Sequence, residues 1–189
     1  MAKFDDYLRE ERIKKAISNF DDGLKVLDIG CHNRLLFIRK KVSADSVGID
    51  ELEQPAAENY DFTDYTVFHK LHIENDIPII DTFDVITMLA MFEHLQNREA
   101  VVKECFRLLK AGGLVVMTVP SAKADILLSF FVKIKVITEK DFWQQHKNVP
   151  DKQAICNMFE TNGFRLLKYE SFELGLNNLY VFIKISKEG

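Results

Sequence analysis

Asp28 and Asp50 are the first residues whose types and positions could do chemistry. Asp28 sits inside the apolar run "KVLDIG" and is followed at once by Gly30, so a carboxylate and a bare stretch of backbone meet at the end of a short strand. Asp50 closes the next apolar run, "SVGID". A carboxylate at a strand tip can accept both hydrogen bonds from a ribose diol; it can also be a solvated strand-end acid. Further along, Glu93-His94 follows "FDVITML", and His146 stands in the polar-aromatic stretch "DFWQQHKN". An imidazole at either place could take a proton from a substrate. His94 could equally be a helix-start residue packing under a loop, and His146 part of a surface loop anchored by Trp143. His69 and His72, three apart on a strand, point to opposite faces and are unrelated.

These residues need elements to hold them. Ile13, Ala16, Ile17 and Phe20 repeat with helical spacing, which predicts a helix over residues 5–20 capped by Asp5 or Asp6. Short apolar runs predict strands at Lys25–Ile29, Ser46–Asp50 and Thr66–Leu71, with a helix starting near Arg34 after the first. The near-continuous apolar run Phe83–Leu89 suits a strand buried on both faces of a parallel sheet. Asn97 can cap a helix carrying Val101, Val102, Cys105, Phe106 and Leu109 on one side, stopped by Ala111-Gly112-Gly113. Leu114–Val119 is a further strand, residues 151–162 a helix, and Phe164–Glu170 and Leu179–Ile185 the last two strands. Alternating strands and helices imply crossovers and a mostly parallel sheet. No helix separates the last two strands, so they should pair antiparallel.

The bulk composition narrows the function. With 189 residues, 47% hydrophobic and 29% charged, the chain is long enough for one domain with a sizeable core. A net charge of −4 offers no general footprint for nucleic acid. The three cysteines, Cys31, Cys105 and Cys156, are too scattered for a disulfide framework or a metal cluster, which points to a reducing cytoplasm. The start, "MAKFDDYLREE", has no apolar leader, and no apolar run approaches membrane-spanning length.

Six pieces in order, "LKVLDIGC", "VGID", "FDVITMLAMFEHL", "CFRLLKAGGLVVMTVPS" and the tail pair "TNGFRLLKYESFELG" and "LNNLYVFIKIS", resemble the class I S-adenosylmethionine-dependent methyltransferases, especially the small bacterial ones. The resemblance implies a Rossmann-like α/β fold: a three-layer α/β/α sandwich around about seven strands, mostly parallel with the last strand antiparallel. It would make residues 1–189 a single domain. Residues 1–23 would be an N-terminal helix, 24–121 the cofactor-binding half, 122–150 an acceptor-side insertion, and 151–189 a final helix and hairpin. It implies S-adenosyl-L-methionine as cofactor, with Asp28 near the methionine ammonium, directly or through water, and Gly30 allowing close approach. Asp50 would bind the ribose and Glu51 would border the adenine. His72 stands where the family's adenine-touching acid stands, and Ile73 would supply a backbone amide. Leu89 and Ala90 would flank the methionine part.

The family's turn reads D-x-G-x-G-x-G; here His32 and Arg34 replace the second and third glycines. Asparagine and histidine tolerate positive φ, so the backbone path can survive while space is reduced. Some relatives bind a divalent ion through E-x-x-E-H, but Ala90 replaces the first glutamate, and no metal is expected. The expectation is methyl transfer to a small-molecule or glycan acceptor by positioning and in-line displacement, with His94 and His146 as the candidate catalytic residues. The other open reading is an eroded homologue that binds or regulates a partner. A nicotinamide enzyme is disfavoured, because the phosphate-cradling G-x-G-x-x-G is absent. The apolar insertion at residues 122–150 is either an acceptor lid or a packing face.

Overall fold

The computed structural model describes residues 2–31, 41–50, 67–70, 77–121 and 150–185; at residues 2–6 and 67–70 the description is of backbone. The elements are helix α1 (Ala2–Ile17), strands β1 (Val26–Ile29), β2 (Val47–Asp50), β3 (Val67–Lys70) and β4 (Phe83–Leu89), helix α2 (Arg98–Leu108), strand β5 (Leu109–Pro120), helix α3 (Lys152–Thr161), and strands β6 (Phe164–Phe172) and β7 (Asn177–Lys184). Short 3₁₀ turns at Phe92–His94 and Glu173–Gly175 follow β4 and β6.

The seven strands form one sheet in the order β3-β2-β1-β4-β5-β7-β6. The first five are mutually parallel. β7 enters between β5 and β6 and is antiparallel to both. This is the architecture the sequence predicts: a mostly parallel sheet whose final strand reverses. The chain order turns back at β1, since β2 lies on one side of it and β4 on the other. In open sheets, ligands collect at the carboxyl ends of the strands beside such a reversal.

Each face of the sheet buries its own core. Leu27, Ile29, Ile49, Ile86, Met88, Val115 and Met117 pack with α2 and α3 through Val101, Val102, Cys105, Ile155 and Phe159. The opposite face offers Val26, Val85, Val116, Leu179 and Val181 to Ile13, Ala16 and Phe20 of the N-terminal segment. The two sets alternate along each strand, as a period of two requires. α2 begins where expected: the Asn97 side chain accepts from the Ala100 amide at 3.2 Å. Asp151 caps α3 in the same way, accepting from Ala154 N at 2.7 Å.

Two boundaries differ from the sequence expectation. α1 starts at Ala2 and ends at Ile17, so Asp5 and Asp6 lie inside it and do not cap it. Its end is tied off by side chains: Ser18 Oγ and Asn19 Nδ2 both donate to the Lys15 carbonyl. Ala111-Gly112-Gly113 does not stop α2, which already ends at Leu108. It lies within β5, where pairing jumps from Phe83↔Leu109 to Val85↔Leu114, so the glycines bulge out of the ladder.

Aromatic packing anchors α3 to the sheet. Phe159 stacks on Phe182 at 4.1 Å with an interplanar angle of 4°, and it also touches Phe92 and Phe164. Phe92 belongs to the turn after β4, so this cluster also supports the site-bearing loop. Phe159→Ala should lower the unfolding free energy by about 3–5 kcal/mol, the usual cost of an aromatic cavity. Urea unfolding checks this; a loss below about 1 kcal/mol would mean that the cluster relaxes to fill the void.

Candidate functional site

The sheet face toward α1 changes character along the strands. At the start it carries Val26, Val85 and Leu114 in register; the next level carries Asp28 and Thr87 beside Val116, and the level after that Leu89 beside Thr118. All three polar residues are buried. The apolar core thus gives way to a polar floor just before the strands end.

Asp28 is the centre of that floor. β1 and β4 pair with Asp28 opposite Thr87, and the Thr87 hydroxyl donates to Asp28 Oδ1 at 2.6 Å. On the other side its partner is Gly48, which has no side chain to cover it. Burial pushes the Asp28 carboxyl up to about 7; the Thr87 hydrogen bond pulls it down, and repulsion from Asp50 adds to the rise. Asp50 closes β2 and is itself buried. Two carboxylates therefore stand at adjacent strand tips, close enough to repel.

Gly30 makes the bend between them. Its φ is +77°, and its amide and that of Cys31 both donate to the Ile49 carbonyl, at 2.9 and 3.2 Å. A Cβ at Gly30 would lie 2.6 Å from Met91 Cγ. Glycine is required by conformation and by space together.

The opposite rim is the end of β4. Leu89 and Ala90 are half-buried, and Ala90 has φ +51°, uncommon for a residue with a Cβ. Thr118 of β5 holds it there, through its carbonyl at 3.0 Å and its hydroxyl at 3.1 Å, both accepting from the Ala90 amide. In the following turn, Arg98 donates to the carbonyls of Phe92 and Glu93. Glu93 is 2% exposed, and its Oε2 has no hydrogen-bond partner. Burial raises its carboxyl to about 7 against the pull of its own backbone amide, Arg12 and Arg98. His94 is half-exposed, with Nε2 4.0 Å from Glu93 Oε1.

Beside β5 lies a second strained turn. Glu173, Leu174 and Gly175 have φ values of +51°, +58° and +86°, a left-handed stretch that disfavours the two non-glycine residues. The amide and hydroxyl of Ser121 at the end of β5 clamp it by donating to the Leu176 and Gly175 carbonyls. The turn buries Glu173 Oε1 without a partner, while Oε2 accepts from Asn177. Burial raises this carboxyl too, opposed by the Asn177 hydrogen bond and by Arg12.

Of the residues singled out from sequence, Asp28, Gly30, Asp50, Leu89, Ala90 and His94 all lie at the carboxyl edge of β1, β2 and β4. Glu51, His72, Ile73 and His146 lie outside the described residues, as do His32, Arg34, Trp143 and the insertion at residues 122–149. Thr87, Thr118, Arg12 and Glu173 were not singled out. The two threonines were visible as lone polar residues inside the apolar runs "VITML" and "VVMTVP". Among the described residues no three His, Cys, Asp or Glu side chains gather as metal ligands.

The two raised carboxyls make a signed prediction. Asp28 and Glu93 bind protons more readily in the folded chain than in the unfolded one. Stability of the ligand-free protein therefore rises as pH falls from 8 toward 5, by up to about 1.4 kcal/mol per pH unit for each group. Asp28→Asn and Glu93→Gln should each flatten this rise in denaturation curves. Stability that falls over that window would contradict the burial of both acids.

A family model described as a methyltransferase domain matches residues 1–169. A "Ubiquinone biosynthesis O-methyltransferase" of Pseudomonas fluorescens (strain SBW25) is 34% identical over 101 residues, 49% of this chain and 43% of that protein. The chain thus spans about half the length, or less, of the curated relatives it matches. An S-adenosylmethionine-dependent methyltransferase from Thermotoga maritima superposes with a TM-score of 0.66 at 17% identity, over 92% of this chain and 87% of that one. Magnesium protoporphyrin IX methyltransferase from Synechocystis PCC 6803, solved with bound S-adenosylhomocysteine, gives 0.65 at 14%, over 93% and 83%. At these identities the two structures share the fold with this chain.

Proposed function

The chain belongs to the class I S-adenosylmethionine-dependent methyltransferase family, and from that premise we propose that it transfers a methyl group from S-adenosyl-L-methionine to a hydroxyl of a small-molecule acceptor. The observation that carries this reading is the pair of buried acids at the β1 and β2 tips, with Gly30 bent between them. An anionic cradle of this kind suits a ligand bearing an ammonium and a sulfonium, and it repels a pyrophosphate. The donor set fits the cofactor, whose bound form supplies an electrophilic methyl group.

Each residue then has a task. Asp28, set by Thr87, holds the ammonium directly or through water. Gly30 lets the backbone come close. Asp50 accepts from the ribose hydroxyls, with Glu51 bordering the adenine and His72 and Ile73 completing that side. Leu89 and Ala90 line the methionine part. His94 and His146 stand on the acceptor side as candidate catalytic residues. The hydroxyl acceptor is supported by the O-methyltransferases among the relatives. A cytoplasmic setting is supported by three buried free thiols, with that of Cys105 pushed up to about 12 by burial. No helix among the described residues is long and apolar enough to cross a membrane.

Asp50→Ala should weaken S-adenosylmethionine by roughly 10- to 100-fold, the effect of losing hydrogen bonds to a charged group worth about 1.5–3 kcal/mol. Thermal-shift titration reads this directly, because a ligand bound only by the native state raises the melting point by mass action. Unchanged affinity would place the ribose grip elsewhere. Wild-type affinity should also fall by up to about tenfold per pH unit below 7, as Asp28 gains its proton. Asp28→Asn should bind weakly with a flat profile; a wild-type slope in that variant would assign the titration to another group.

A further inference from the structure

The turn after β4 holds a carboxylate that nothing among the described residues explains. Glu93 is 2% exposed, yet its Oε2 meets no donor. Leaving an acceptor buried and unsatisfied costs about 1–3 kcal/mol, more for a charge, so such a group persists where function requires it. Among the described residues, the charged and titratable groups that act on it are Arg12 from α1, Arg98 from α2, and His94 beside it in the turn. None completes Oε2. Arg98 is engaged by two backbone carbonyls and fixes the turn from below. Arg12 acts on Glu93 and also on Glu173, whose Oε1 is, among the described residues, the other buried oxygen without a partner. Two incomplete carboxylates from separate turns at the carboxyl edge of the sheet thus both feel the charge of one guanidinium.

We propose that Glu93 Oε2 accepts the proton of the acceptor hydroxyl during methyl transfer, with Arg12 and Glu173 forming the polar wall that receives the rest of the acceptor head. This rests on the methyltransferase reading above. The acceptor O–H supplies the donor that Oε2 lacks. In the step, the O–H bond breaks and its proton passes to Glu93. An O–CH₃ bond forms, and the electron pair of the broken C–S bond stays on sulfur. The proton then leaves to solvent. A carboxyl near neutrality suits this task better than an ordinary one, since a general base works best near the operating pH. It is matched to a phenolic hydroxyl, with pKa about 10, far better than to an aliphatic one. α1, which carries Arg12, is anchored by Ile13, Ala16 and Phe20 in its second half and just beyond, whereas Leu8–Arg12 is only half-buried.

The test uses the full chain loaded with S-adenosylhomocysteine and catechol as the phenolic probe. Calorimetry should show catechol binding several-fold tighter at pH 8 than at pH 6, because the ionised carboxylate is the stronger acceptor. Glu93→Gln should bind S-adenosylhomocysteine like the wild type and lose this pH response. It should transfer methyl from S-adenosylmethionine to catechol about 10²- to 10⁴-fold more slowly, the usual contribution of a general base. Carboxyl-¹³C NMR of the wild type gives a reading that needs no variant: catechol should move the Glu93 titration midpoint. No binding of catechol, a pH response that survives in Glu93→Gln, unimpaired transfer by that variant, or an unmoved midpoint each overturns the proposal. Failure of the wild type to bind S-adenosylhomocysteine at all would instead sink the cofactor reading on which it stands.

Discussion

The Asp28 carboxylate, buried beneath the tips of β1 and β4 and held, among the described residues, by one threonine hydroxyl, is the constraint around which the site is built. A charge in that position is costly unless it is neutralised or paired. Among the described residues the fold supplies one hydrogen bond from Thr87 and no cation, and Asp50 nearby makes matters worse. What the protein alone leaves unfavourable, a cationic ligand can relieve. On the proposed reading, the site prefers positive charge and the electrostatic work of recognition is done before the ligand arrives.

The surrounding fold makes that arrangement rigid. Asp28 cannot swing out, since β1 is hydrogen-bonded to strands on both sides and its neighbours Leu27 and Ile29 are locked in the opposite core. Gly30 bends the chain immediately after it, under Met91. Ala90 is fixed by Thr118 in a left-handed conformation it would not choose alone. Strain of this sort persists only where the neighbours over-determine it, and it gathers at functional sites. The second strained turn, at Glu173–Gly175, follows the same pattern beside β5. Burial of apolar surface on both faces of the sheet offsets the cost of these features, which is why they sit at the strand ends, where the core is already complete.

The sheet was legible from sequence because its strands are short apolar runs separated by helical spacing, and because the missing helix between β6 and β7 forces reversal. The start of β5 was not. Ala111-Gly112-Gly113 reads as a helix stop, and only the pairing with β4 reveals that the glycines bulge out of a strand already under way. Asp28 and Asp50 were legible because an acid ending an apolar run is a local pattern. Glu93 was visible as a residue but not as a problem: its orphaned oxygen depends on Arg98 and Arg12 approaching from two other elements and leaving it unsatisfied. Glu173 carried no local mark, since its burial comes from a left-handed turn clamped by Ser121, far away in the chain. Sequence patterns report periodicity and end-of-element chemistry; they do not report which distant groups fail to meet.

Titration of the Asp28 carboxyl by ¹³C NMR, in the free protein and with saturating S-adenosylmethionine, tests the central claim most directly. The predicted result is a midpoint near 7 in the free chain, moving well down once the cationic ligand is bound. A free-chain midpoint in the ordinary carboxylate range, or one that the cofactor leaves in place, would contradict the account.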